Sequence, residues 1–217
     1  MSIASAVQQL KQELPSTVKL VAVSKFKPVE AILEAYDAGQ RAFGENRPQE
    51  LAAKAAVLPP DIEWHFIGHL QTNKVKLVVP WAALIHSVDS EKLLAEIDKT
   101  ARAAGKVMDC LLEIHIARET TKQGFTPEEA LVLARRIGDY PHIRLRGVMG
   151  MATFTDDTDE VRQEFRTLKE VSRQLAFLPH CDQVSMGMSE DWPIAVEEGT
   201  TIVRIGTSIF GKRESKR

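Results

Sequence analysis

Val21-Ala22-Val23-Ser24-Lys25-Phe26-Lys27-Pro28 is a short apolar run that ends in a lysine and gives way to a proline. The run reads as a buried β-strand, and Pro28 sits where a first helical turn tolerates proline. The turn between them, Ser24 to Pro28, holds no glycine. A doubly wound dinucleotide-binding sheet calls for a glycine-rich phosphate turn after its first strand, so this stretch argues against that fold.

The rest of the chain repeats the same unit. Strand-like runs fall at 20–24, 41–44, 64–67, 84–87, 109–116, 144–149, 183–185 and 202–205. Helix-like segments at 29–38, 48–57, 73–78, 90–104, 127–137, 157–176 and 191–198 separate them. Pro48 and Pro127 open helices, Ser90 and Thr126 supply N-caps, and Gly39, Gly105, Gly138 and Gly199 stand where helices end. Eight β-then-α cycles without a long linker predict one parallel sheet, and eight is the number that closes a (β/α)8 TIM barrel. We therefore expect a single domain over 1–217, with an extra N-terminal helix at 2–13, no second β domain and a frayed polar tail at 212–217.

Composition narrows the function. The chain has 217 residues, 44% hydrophobic and 27% charged, with a net charge of −2, which gives no electrostatic case for nucleic acid or an anionic membrane. Two cysteines suit a reducing cytosol. No apolar run reaches the roughly 18 residues of a membrane span, and no secretory signal is read at the start. The expectation is a cytoplasmic protein.

In such a barrel the working groups project from the carboxyl ends of the strands. Alternation puts Val21, Val23 and Lys25 on one strand face, so if the valines fill the interior, Lys25 points into the mouth. Either Lys25 begins an exposed loop, or desolvation and the charge of nearby Lys27 lower its pKa and make it a nucleophile. Near the other terminus, Ser185-Met186-Gly187-Met188-Ser189 and Ile205-Gly206-Thr207-Ser208 lead into helix starts. Loops after strands 7 and 8 commonly form the phosphate site of a barrel, and here Gly187, Gly206, Ser189 and Thr207 fit that place. A nucleophilic amine and a phosphate cradle are the two parts that bind pyridoxal 5'-phosphate (PLP) covalently.

The histidines carry less. His65 and His69 on a strand would stand about 13 Å apart, too far for one ion. His65 reads as core or interface, His69 as a rim residue, and His86 and His115 as satisfied barrel residues. No metal site is expected.

With these motifs in hand, the chain resembles the PLP homeostasis protein family, related to the N-terminal barrel of alanine racemase. The resemblance rests on Val21-Ala22-Val23-Ser24-Lys25, Phe43-Gly44-Glu45-Asn46, residues 64–74 (WHFIGHLQTNK), Gly147-Val148-Met149-Gly150-Met151, Ser185-Met186-Gly187-Met188-Ser189 and Ile202-Val203-Arg204-Ile205-Gly206-Thr207. It implies a fold-type III PLP barrel in which Lys25 forms the internal aldimine. Ser189, Gly206 and Thr207 would hold the phosphate, Arg204 would face the pyridine nitrogen, and Asn46, Met151 and Ser185 would line the cofactor. Nothing is carried over to Arg47 and Pro48.

An always-cationic arginine at the pyridine nitrogen disfavours ring protonation and so restrains carbanion chemistry. A two-base racemase also needs a second acid/base, typically tyrosine, but Tyr36 and Tyr140 fall on helical or connecting segments away from the mouth. The leading expectation is a monomer without substantial catalysis that carries or buffers PLP through a reversible Schiff base, serving vitamin B6 homeostasis. Its partners would be PLP and PLP-requiring apo-enzymes. The alternatives are a PLP-dependent amino-acid racemase and a Schiff-base aldolase without PLP.

Overall fold

The computed structural model describes residues 2–119 and 123–211. The expected tail at 212–217 lies outside the described residues. Eight strands alternate with helices: β1 (Lys19–Val23), β2 (Ala42–Glu45), β3 (Glu63–Phe66), β4 (Ala82–Val88), β5 (Met108–Glu113), β6 (Ile143–Met149), β7 (Gln183–Ser185) and β8 (Ile202–Ile205). Each pairs in parallel with the next, and β8 returns to β1 with Val203 opposite Leu20 and Ile205 opposite Ala22. The sheet is a closed (β/α)8 barrel. That closure removes the open edge on which a doubly wound sheet depends.

The helices form where capping and spacing agree. α1 (Ile3–Glu13) starts at Ser2, whose side chain accepts from the Ser5 amide, and buries Ala6, Val7 and Leu10. It is the extra N-terminal helix, packed on α2 (Val29–Asp37). α3 (Pro48–Ala55) opens on its proline. The expected helix 73–78 divides into a 3-10 turn at Thr72–Lys74 and a short α4 (Val75–Val78). α5 (Glu91–Ala103) buries Leu93, Leu94, Ile97 and Ala101, the three-and-four spacing of one helical face. α6 (Pro127–Arg135) carries a full capping box between Thr126 and Glu129, and α7 (Thr158–Gln174) is capped by Asp157. α8 (Trp192–Glu197) and α9 (Thr207–Phe210) complete the ring.

One strand end departs from expectation. β5 was expected to run to Ile116, but its ladder stops with Glu113 opposite Met149, and Ile114 leaves to bridge Phe125. Most of the core lies between strands and helices. A second, smaller cluster of Val21, Ala42, Leu84, Leu111, Met149 and Ile202 fills the barrel axis, with Met151 packed against it. The same inward faces carry His65, His86, Glu113 and Arg204, all buried. The axis is thus part apolar plug and part polar column. Among the described residues, no helix is long and apolar enough to cross a membrane.

Candidate cofactor-binding site

Lys25 stands two residues past the end of β1, and the turn that carries it is fastened from behind. The Ser24 hydroxyl donates to Glu45 Oε1 at 2.5 Å. The Lys54 ammonium, reaching in from α3, donates to Ser24 O at 2.8 Å, Glu45 Oε1 at 2.7 Å and Glu50 Oε1 at 2.7 Å. Glu50 in turn accepts from the Phe26 amide at 2.6 Å. Phe26 sits at φ 62°, a left-handed conformation that costs an aromatic residue about 1–2 kcal/mol, and the Arg47 guanidinium lies 4.4 Å from its ring centre. Burial pushes the Glu45 carboxyl above its ordinary pKa, against the pull of Lys54 and Ser24.

Of the two readings open for Lys25, an exposed turn residue or a desolvated nucleophile, the first holds. The Lys27 ammonium donates to Phe210 O at 2.7 Å, at the carboxyl end of α9. Lys27 therefore ties the amine-bearing turn to the segment expected to hold phosphate, with a cation placed where a helix end is negative.

Arg204 is buried on β8 and faces the axis. Its Nη1 donates to Ser185 Oγ at 2.5 Å and its Nη2 to Gly150 O at 3.1 Å. Burial lowers its pKa to about 10, offset by the charges of Asp191 and Glu113, so it stays cationic at neutral pH. Ser185, expected to line the cofactor, is fully buried, and its hydroxyl is occupied by Arg204 and by His86 Nδ1 at 2.9 Å. In this arrangement it supports Arg204. Glu113, inward on β5, was not singled out from sequence. Burial and the Asp89 charge push its carboxyl to about 7 although Arg204 opposes them.

At the phosphate end, Gly187 adopts φ 94°, and a Cβ there would stand 2.6 Å from Ala195 Cβ. Met188 N donates to Asp191 Oδ1 at 2.5 Å, closing the turn that carries half-buried Ser189. Gly206 packs its backbone on β1, where a Cβ would meet Val23 O at 3.2 Å. The adjoining α9 leaves Thr207 exposed and its first amides without partners inside the helix. Just past β2, Asn46 Oδ1 is buried with no partner among the described residues, and among them His115 Nδ1 also has none, unlike the satisfied residue expected. His69 is exposed and meets Asp89 Oδ2 at 3.0 Å. No group of three metal-ligating side chains occurs among the described residues.

This donor set fits PLP. One strand end offers an exposed primary amine, the next an amide oxygen with no partner among the described residues, and β7 and β8 offer hydroxyls, helix-start amides and a buried guanidinium. Met151 half-buries against the axial cluster below them.

Comparison with known proteins agrees with that chemistry. The alanine racemase N-terminal domain family matches residues 2–214. A pyridoxal phosphate homeostasis protein of Haemophilus influenzae is 43% identical over 204 residues, 91% of this chain and 86% of that protein. One from Schizosaccharomyces pombe is 37% identical over 204 residues, 92% of this chain and 86% of that protein. The structure of PipY of Synechococcus elongatus with PLP bound is 37% identical, has a TM-score of 0.88 and covers 97% of this chain and 100% of that one. Alanine racemase of E. faecalis, at 20% identity and a TM-score of 0.78 over 58% of its chain, shares the fold. The chain belongs to the alanine racemase N-terminal domain family, on the branch of the pyridoxal phosphate homeostasis proteins.

Proposed function

We propose that this protein binds PLP at the barrel mouth, held at Lys25 as a reversible imine, and carries or buffers it without substantial turnover. Ser189, Gly206 and Thr207 hold the phosphate, Asn46 and Met151 line the ring, and Arg204 meets the pyridine nitrogen with Ser185 behind it. The bound vitamer supplies an electrophilic carbonyl carbon and an electron sink. The chain restrains that sink: a cationic guanidinium at the ring nitrogen opposes its protonation.

The observation that carries the carrier reading is where the tyrosines are. The chain has two, and both are committed to the outer layer: Tyr36 donates to Asp61 at 2.7 Å and Tyr140 to Glu91 at 2.7 Å. The usual partner of a racemase lysine is therefore not at the mouth. An exposed amine further favours exchange of the vitamer with solvent and with PLP-requiring apo-enzymes, as a cytoplasmic monomer would do. Glu113 favours a second reading, since a buried carboxyl near pKa 7 can serve as an acid/base for amino-acid racemisation.

One experiment separates them. The PLP-loaded protein is mixed with an apo-enzyme, and separately with L- and D-alanine. Transfer of PLP without racemisation supports the carrier. Sustained racemisation abolished by Lys25→Ala and by Glu113→Gln replaces it with the enzyme.

A further inference from the structure

Arg204 is the mouth end of a chain of contacts that crosses the whole barrel. Its Nη1 meets Ser185 Oγ at 2.5 Å, Ser185 Oγ meets His86 Nδ1 at 2.9 Å, and His86 Nε2 meets His65 Nδ1 at 2.8 Å. His65 Nε2 then faces Glu63 Oε2 at 3.8 Å, and that carboxylate pairs with Lys19 at 2.5 Å. Glu63 and Lys19 are the first residues of β3 and β1, at the floor of the barrel, and with His65 they line an open cavity of about 390 Å³. Ser185, His86 and His65 are buried, whereas Glu63 is about half exposed.

The two ends decide which way every hydrogen bond points. A guanidinium only donates, so Ser185 Oγ accepts from Arg204. A carboxylate only accepts, so its charge favours a proton on the facing Nε2 of His65; at 3.8 Å this is a charge–dipole contact rather than a hydrogen bond. A neutral imidazole with Nε2–H has an accepting Nδ1. His86 must then donate from Nε2 to His65, and its own Nδ1 accepts from the Ser185 hydroxyl. The opposite polarity would let Ser185 accept twice, but it would turn the bare Nε2 lone pair of His65 towards a carboxylate. Full burial favours the neutral form of both rings, opposed at His65 by Glu63 and reinforced at His86 by the charges of Arg204 and Lys19.

We propose that His86 and His65 are positioning residues which, with Ser185, form a hydrogen-bond chain of fixed polarity that orients Arg204 and links the ring end of the cofactor site to Glu63 on the opposite face. The chain gives the guanidinium a directed acceptor at its back, so its remaining donors are set towards the mouth. It also makes a floor residue, far in the fold from any expected cofactor contact, able to alter the site. Asp191 and Glu113 are the other charges that act on Arg204.

The first test needs no cofactor. In the full chain labelled with ¹⁵N-histidine, both buried rings should be neutral Nε2–H tautomers, with Nδ1 unprotonated and hydrogen-bonded. An Nδ1–H tautomer at either ring, or a doubly protonated ring at neutral pH, overturns the proposal. Glu63→Met, a change at a half-exposed site, should lower the Nε2–H fraction at His65; an unchanged tautomer says that the carboxylate does not set the polarity.

The second test rests on the reading that the mouth binds PLP. Glu63→Met should shift the visible band of the PLP-loaded protein, and the shift should vanish when His86→Phe is also present. An equal shift in that background, or no shift with intact His86, removes the coupling. A protein that takes up no PLP fails the functional reading, and the tautomers still decide this one.

Discussion

Removing the Lys54 ammonium should expose how the Lys25 turn is held. In Lys54→Met the alkyl stem is largely kept, but three bonds of 2.7–2.8 Å are lost and Glu45, with no exposed side-chain surface, keeps its carboxyl without a cation. Glu50 is partly exposed and retains the Phe26 amide, so the penalty falls on Glu45. A buried carboxylate in that position takes up a proton. Neutralising a group whose ordinary pKa is 4.5 costs about 1.4 kcal/mol for each pH unit above it. The penalty is therefore bounded at about 5 kcal/mol at pH 8 and under about 1 kcal/mol at pH 5, plus about 1–2 kcal/mol for the unmet bond to Ser24 O. The sign follows: the variant's native state holds a proton that its unfolded state has released, so its stability falls as pH rises above the unfolded carboxyl pKa. Urea unfolding of wild type and variant at pH 5 and pH 8, with slopes compared, reads the difference. Glu45→Gln added to Lys54→Met should recover most of the loss at pH 8. A loss below about 1 kcal/mol at pH 8, or the same loss at both pH values, refutes the reasoning.

Further outcomes follow from the same geometry. Glu113, 6% exposed, holds its proton to about pH 7 in the native state and to about pH 4.5 when unfolded, so its burial destabilises the fold progressively between those values. Glu113→Gln should then gain about 3 kcal/mol over wild type at pH 8 and little at pH 4 in urea unfolding; parallel pH profiles would contradict the assignment. Thr207→Ala or Ser189→Ala should each remove a hydrogen bond to a charged group, about 1.5–3 kcal/mol, and raise the PLP dissociation constant roughly 10- to 100-fold by equilibrium dialysis. Unchanged dissociation in both would move the phosphate elsewhere.

Much of this was legible in the residues because strand and helix periods alternate so regularly. All eight strand positions expected from sequence are strands, and the missing glycine between Ser24 and Pro28 correctly set aside the open sheet. Alternation put Val21 on one face with Val23 and Lys25, and the structure shows that Val21 lies in the axial cluster. What stayed hidden depended on partners distant in sequence. A lysine in a helix such as α3 reads as solvated, and only the packing of α3 behind β1 turns Lys54 inward. Glu113 shares the inward face of Leu111, a signal that alternation offered, but the strand was read past it to Ile116, into the segment where Ile114 bridges Phe125. His65 reads from sequence as core or interface and His86 as a satisfied barrel residue; their 2.8 Å contact joins two strands that no spacing rule connects. The sequence left Lys25 open between an exposed turn residue and a desolvated nucleophile; the turn carries it to the rim, and only the three-dimensional course of that turn decides between the two.

The central claim is that the Lys25 amine captures the vitamer. Incubation with PLP, reduction with borohydride, digestion and peptide mass spectrometry test it directly. The account predicts one pyridoxyl-phosphate adduct, on the peptide containing Lys25, lost in Lys25→Ala. An adduct on Lys27, Lys54 or any other amine, or none at all, would contradict it.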